Sequence, residues 1–169
     1  QDKLIPNAPL LIIASSLGTE IISNYIYDRQ RTLGENGFGD TPFERLETLT
    51  GMVMLGNISP LYFPSYAIDE LKPFTFPPVQ LPERYKKVSY WGNFYDKNDP
   101  LGFPIKPVNR NYNTANVEDV QLNAGGWIIS WNAASHLGYW KSRAVLKRTT
   151  KLIKDVITVS ETEEKKKCA

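Results

Sequence analysis

A serine, a carboxylate and a histidine occur in this chain in an order and a local setting that suit acyl transfer. Ser16 lies in Ala14-Ser15-Ser16-Leu17-Gly18, where a short apolar run, Leu10 to Ala14, turns directly into a helical pattern. A nucleophile elbow needs that context: the serine is held in a tight strand-to-helix turn, with small residues two places before and two places after it. Ala14 and Gly18 occupy those places for Ser16, whereas Ser15 would be flanked by Ile13 and Leu17. A serine hydroxyl is a weak nucleophile at neutral pH and needs a base within hydrogen-bond reach. The single histidine, His136, is the candidate base. A carboxylate just past a strand, in Asp96-Lys97-Asn98-Asp99-Pro100-Leu101, would fix the imidazole tautomer and stabilise the imidazolium formed during attack. Taken with Asp99, the order Ser, Asp, His has separations of 83 residues (99 − 16) and 37 residues (136 − 99).

These three side chains must be carried by elements that converge. Leu10 to Ala14 is short, apolar and rich in β-branched residues, as befits a strand buried on both faces of a parallel sheet. Leu17, Ile21, Ile22, Tyr25 and Ile26 recur at three- and four-residue spacing and predict an amphipathic helix, with Glu20, Asn24 and Asp28 elsewhere around it. Thr41-Pro42-Phe43-Glu44 has the form of a capping box and predicts a helix ending near Thr50. Met52 to Leu55 predicts a second buried strand and Val88 to Tyr95 a third, ending beside the carboxylates. Val120 to Leu122 and Trp127 to Ile129 suggest a small hairpin, and a last helix is expected from about Gly138 to Val156, with Leu146, Thr149, Ile153 and Val156 on one face. Nine of the 12 prolines fall between Pro60 and Pro107, and between Ser59 and Pro82 they alternate with aromatics. That segment is expected to be irregular and held by its rings.

At this stage the chain resembles the C-terminal half of the α/β-hydrolase superfamily of serine hydrolases, in its esterase or lipase-like branch. The resemblance is carried by Leu11-Ile-Ile-Ala-Ser-Ser-Leu-Gly18, Met54-Leu-Gly-Asn-Ile-Ser-Pro-Leu61, Asn93 to Pro104 and Ser135-His-Leu-Gly-Tyr-Trp140. It departs from the family where Ala14 replaces the usual Gly and Ser15 the frequent His. The fold it implies is α/β: a parallel sheet with flanking helices, the first strands of the family's sheet missing from this chain. It makes Ser16 the nucleophile, His136 the general base and Asp99 the acid, with Asp96 as the fallback. The backbone N–H of Leu17 becomes one oxyanion donor. The second would come from a loop after an earlier strand, and nine residues precede Leu10, so that loop is expected to lie outside this chain. Tyr62 and Phe63, in the segment 59–82, are candidate substrate-lining residues. Residues 1–157 are thus read as the C-terminal part of a hydrolase domain and 158–169 as a loose charged tail.

Composition narrows the partners. Twenty Lys and Arg against 18 Asp and Glu leave a formal charge of +2, which does not suggest a nucleic-acid binder. The basic residues between Lys141 and Lys154 read as a solvated helix face. Leu10 to Ala14, at five residues, is far short of the roughly 18–20 needed for a transmembrane span. Gln1-Asp2-Lys3 does not open a signal peptide. One cysteine and one histidine exclude an internal disulfide, a thiolate cluster and a multi-histidine metal site, and the lone cysteine is compatible with the cytoplasm. The expected activity is hydrolysis of a small-molecule ester or lipid substrate, with no cofactor or metal. The alternative is a non-catalytic half-domain that serves as an interaction module and receives its remaining strands from a partner chain or further N-terminal sequence.

Overall fold

The computed structural model describes residues 7–31, 39–65, 67–125 and 136–167. Four parallel strands form one sheet in the order β1 (Leu10–Ser15), β2 (Leu49–Leu55), β3 (Tyr90–Tyr95) and β4 (Glu118–Gln121). Ala14 pairs with Met54 and Ser15 with Leu55, and Leu55 in turn faces Phe94. The C-terminal ends of β1, β2 and β3 therefore finish side by side. Helix α1 (Leu17–Arg31) follows β1, short helices α2 (Glu83–Lys86) and α3 (Arg110–Asn113) lie in the connections, and α4 (Arg143–Lys167) closes the described chain.

All seven residues of β2 are buried, because helices cover both of its faces. The two-residue period of a strand sends Met52 and Met54 to one side, with Ile26 of α1 and Trp91 of β3, and Val53 and Leu55 to the other, with Leu152 and Val156 of α4. The proline-rich segment is anchored to the first cluster: Phe74 stacks on Trp91 at 4.3 Å and Phe76 meets it edge-on at 6.0 Å. Among the described residues no helix is long and apolar enough to cross a membrane.

Several local expectations are corrected. The Thr41 capping box forms, with the amides of Asp40 and Thr41 both donating to Glu44 Oε2 at 2.9 Å, but the chain makes only turns before β2. Leu46 adopts φ +58°, which breaks the helical path, and β2 begins at Leu49 in register with Leu10. Helix α1 turns Thr19 and Ile26 inward, whereas Leu17, Ile21 and Tyr25 of the expected apolar stripe are exposed. Of the stripe expected in α4, Val156 is buried but Leu146 and Ile153 are exposed, and Val145 and Leu152 join Val156 inside. Both stripes have helical spacing, and contact with β2 chooses between them. The same helix continues as far as Lys167, through most of the segment read as a loose tail. Its start is preceded by a separate 3₁₀ turn, Tyr139–Lys141, with Ser142 extended between the two. Strand β4 pairs in parallel with β3, and Trp127 to Ile129, the other arm of the expected hairpin, lies outside the described residues.

Candidate active site

Ser16 is the single residue between β1 and α1, and its φ of +55° places it in the left-handed region. A side chain there costs about 1–2 kcal/mol, so neighbouring contacts must hold the turn. The Ser16 amide continues the sheet ladder by donating to Leu55 O at 3.0 Å. Its carbonyl accepts from the Thr19 amide at 2.9 Å and from Thr19 Oγ1 at 2.6 Å. Thr19 is fully buried; its hydroxyl also lies 2.9 Å from Asn57 Oδ1 and accepts from the Ile58 amide at 3.4 Å. The elbow is thus tied to the loop that follows β2. Thr19→Val preserves the branched shape but removes the hydroxyl from Ser16 O and Asn57 Oδ1, which each keep a backbone donor, and strands the Ile58 amide. It is expected to lower unfolding free energy by about 1–3 kcal/mol, read by urea denaturation. Ala14 is buried as the elbow pattern requires, whereas a Cβ at Gly18 would meet nothing within 4 Å. No crowding demands glycine there.

The carboxylates separate clearly. Asp96 and Asp99 are both buried in the turn after β3, where the Asp99 amide donates to Asp96 O at 3.0 Å. Asp96 accepts from the Asn98 amide at 3.0 Å and from the Ala124 amide at 2.7 Å, so it braces the turn against the chain beyond β4. Asp99 faces the histidine: His136 Nδ1 lies 2.7 Å from Asp99 Oδ2. The same oxygen accepts from the Tyr139 hydroxyl at 2.8 Å, and Asp99 Oδ1 accepts from the Leu101 amide at 2.9 Å. The chain after this turn is pinned in its own right. Phe103 N donates to Asn57 O at 3.0 Å, and the Ile105 and Lys106 amides donate to the Asp119 carboxylate.

Two glycines make room for this group. Gly56, directly after β2, has φ +56°, and a Cβ there would stand 2.8 Å from both His136 Cε1 and Tyr139 Cε2. A Cβ at Gly102 would stand 2.5 Å from the Tyr139 hydroxyl and 2.6 Å from Asp99 Oδ2. Because Ser15 pairs with Leu55, Ser16 and Gly56 are the next residues on adjacent strand ends, about 5 Å apart in a sheet. The imidazole over Gly56 is therefore at the same end of the sheet as the elbow. With Nδ1 donating to Asp99, Nε2 is the basic nitrogen, and it is buried with no hydrogen-bond partner among the described residues. No hydrogen bond joins Ser16 Oγ to His136. Such bonds are often long before substrate binds.

The remaining candidates divide. Leu17 is the first residue of α1, so its N–H is among the amides a helix N-terminus leaves without an internal partner. Tyr62 is exposed, whereas Phe63 is buried against Tyr112 at 5.3 Å. Phe63 lines a cavity of about 520 Å³ beside α1 that Tyr62 does not reach. Glu20, one helical turn beyond Ser16, is also in its wall, with Tyr27, Asn57 and Trp91. Thr19, Asn57, Gly56, Gly102 and Tyr139 were not singled out by sequence reasoning. Four of the five lie inside the sequence blocks that carried the resemblance, but their roles depend on contacts between distant parts of the chain. No protein-family model, curated protein or solved structure matches the chain.

Proposed function

We propose that the chain carries the Ser-His-Asp machinery of an α/β-hydrolase-like serine hydrolase that cleaves carboxylic esters through an acyl-enzyme. One observation carries the reading. A buried Asp99–His136 pair leaves Nε2 without a hydrogen-bond partner among the described residues, at the sheet end where Ser16 occupies a strained strand-to-helix turn. Ser16 Oγ attacks the acyl carbonyl as His136 Nε2 takes its proton, and the Leu17 N–H stabilises the oxyanion. His136 then returns the proton to the departing alkoxide. Water attacks the acyl-enzyme with the same nitrogen as base, which releases the acid and restores Ser16. Asp99 keeps Nδ1 protonated throughout.

The cavity beside α1 falls within the usual range for small-molecule sites, about 300–1,000 Å³. Its wall mixes Asn24, Asp28, Glu70 and Lys72 with aromatics, and none of Ser16, Asp99 and His136 lines it. The test is covalent labelling of the full chain with a fluorophosphonate probe. Labelling is expected, and Ser16→Ala should abolish it; equal labelling of the variant, or none of the folded parent, removes the reading.

A second reading is favoured by the sheet edge. β1 is the outer strand of the described sheet, and Ile13, Leu17, Ile21 and Tyr25 stand exposed beside it. An open, apolar strand edge is a template for pairing. In this reading a partner chain pairs with β1 and the half-domain serves as an interaction module. A stable monomer that the probe does not label, and that a co-purifying chain does not activate, would favour the module.

A further inference from the structure

We propose that Tyr139 is a positioning residue that holds Asp99 Oδ2 in place and shares its charge, and so fixes the ring and the Nδ1–H tautomer of His136. The inference rests on the hydrolase reading for its kinetic consequence. Its spectroscopic consequence is independent of that reading.

The geometry leaves the phenol little choice. Tyr139 is fully buried, and its oxygen accepts from the Asp96 amide at 2.9 Å. With that lone pair occupied, the hydroxyl proton points at Asp99 Oδ2, 2.8 Å away. Burial, followed by the bond to Asp99, pushes the phenol well above its ordinary pKa, so it remains a donor at every working pH. His136 Nδ1 and Tyr139 Oη therefore converge on one carboxylate oxygen, with their rings edge-on at 6.2 Å. Gly56 and Gly102 carry no side chains that would disturb this arrangement.

Two donors on Oδ2 divide its negative charge. Without the phenol, the imidazole N–H alone would hold that oxygen. Among the described residues, the titratable groups around the ring are Asp99, Tyr139 and, behind Tyr139, Asp96. The Asp96 carboxylate is turned to the Asn98 and Ala124 amides, and Gly56, directly after β2, adds no side chain beside the ring.

The experiment compares Tyr139→Phe with the parent chain, using hydrolysis of p-nitrophenyl acetate and NMR of the imidazole. Because the chain contains one histidine, every imidazole resonance belongs to His136. The variant is expected to lose about tenfold in kcat with an unchanged KM, as a less firmly held imidazole implies. Its Nδ1–H resonance should move downfield. Gly102→Ala, which places a methyl group between phenol and carboxylate, should move both readouts in the same direction. An unchanged kcat, or an unmoved Nδ1–H resonance, overturns the proposal. If the parent chain hydrolyses no ester, the hydrolase reading fails while the resonance still decides the role of Tyr139.

Discussion

Asp99→Asn is expected to lower ester turnover by about 10⁴-fold while leaving the fold largely intact, because an amide at this position selects the wrong imidazole tautomer. Asp99 Oδ1 accepts from the Leu101 amide, a bond the asparagine oxygen keeps. The amide nitrogen then replaces Oδ2, where both His136 and Tyr139 now donate. Facing an N–H, His136 Nδ1 must become the acceptor, which moves the ring proton to Nε2. That nitrogen can then no longer take a proton from Ser16. Asp96→Asn is the informative contrast. Its carboxylate oxygens accept from the Asn98 and Ala124 amides and make no contact with His136. An asparagine there sets an N–H against one of those amides in a buried position, costing about 1–3 kcal/mol of stability. Single-turnover ester kinetics and urea denaturation on both variants separate the two effects. A larger kinetic loss in Asp96→Asn than in Asp99→Asn would reverse the assignment.

Gly56→Ala is expected to damage stability and turnover together. At φ +56° an alanine costs about 1–2 kcal/mol in backbone strain before any contact is considered. Its methyl would also stand 2.8 Å from His136 Cε1 and Tyr139 Cε2 and 3.0 Å from His136 Nδ1. Those atoms belong to rings pinned by Asp99, so relief requires the imidazole to shift. A displacement of about 1 Å is enough to cost about 10²-fold in rate. Gly56→Asn separates the contributions, since asparagine tolerates positive φ yet still carries a Cβ. It should recover part of the stability lost in the alanine variant and little of the turnover. Recovery of turnover with stability would show that backbone strain, and not the position of His136, governs the effect. Thermal unfolding and kcat measured on the two variants provide the comparison.

Much of the frame was legible in the residues. The unbroken apolar run from Leu10, the serine pair and the helical spacing after it announced a strand, a sharp turn and a helix, because buried strands and amphipathic helices have distinct periods. The second and third strands were legible for the same reason, and the carboxylate-bearing turn was placed correctly because it ends the third. Segments with two acceptable readings were decided elsewhere. The capping-box signal at Thr41 is local and forms, yet it does not show that the chain must enter β2 beside Leu10 by residue 49. In α4 two apolar stripes that share Val156 have helical spacing, and contact with Val53 and Leu55 of β2 and Tyr85 of α2 selects the one through Val145 and Leu152.

The site divides in the same way. By itself the sequence determined the types and order of the candidate groups, and the sharp turn that would display Ser16, since these depend on residues adjacent in the chain. Tertiary structure alone decided that Asp99 and not Asp96 meets the histidine, that Tyr139 holds the same oxygen, and that Thr19 and Asn57 brace the elbow. The physical reason is separation. The bonds that settle these points, the Thr19–Asn57 bond included, join residues 37 to 43 positions apart. Each is set by strands finishing side by side, with glycines at 56 and 102 leaving the space, and no local pattern records where two such ends will meet.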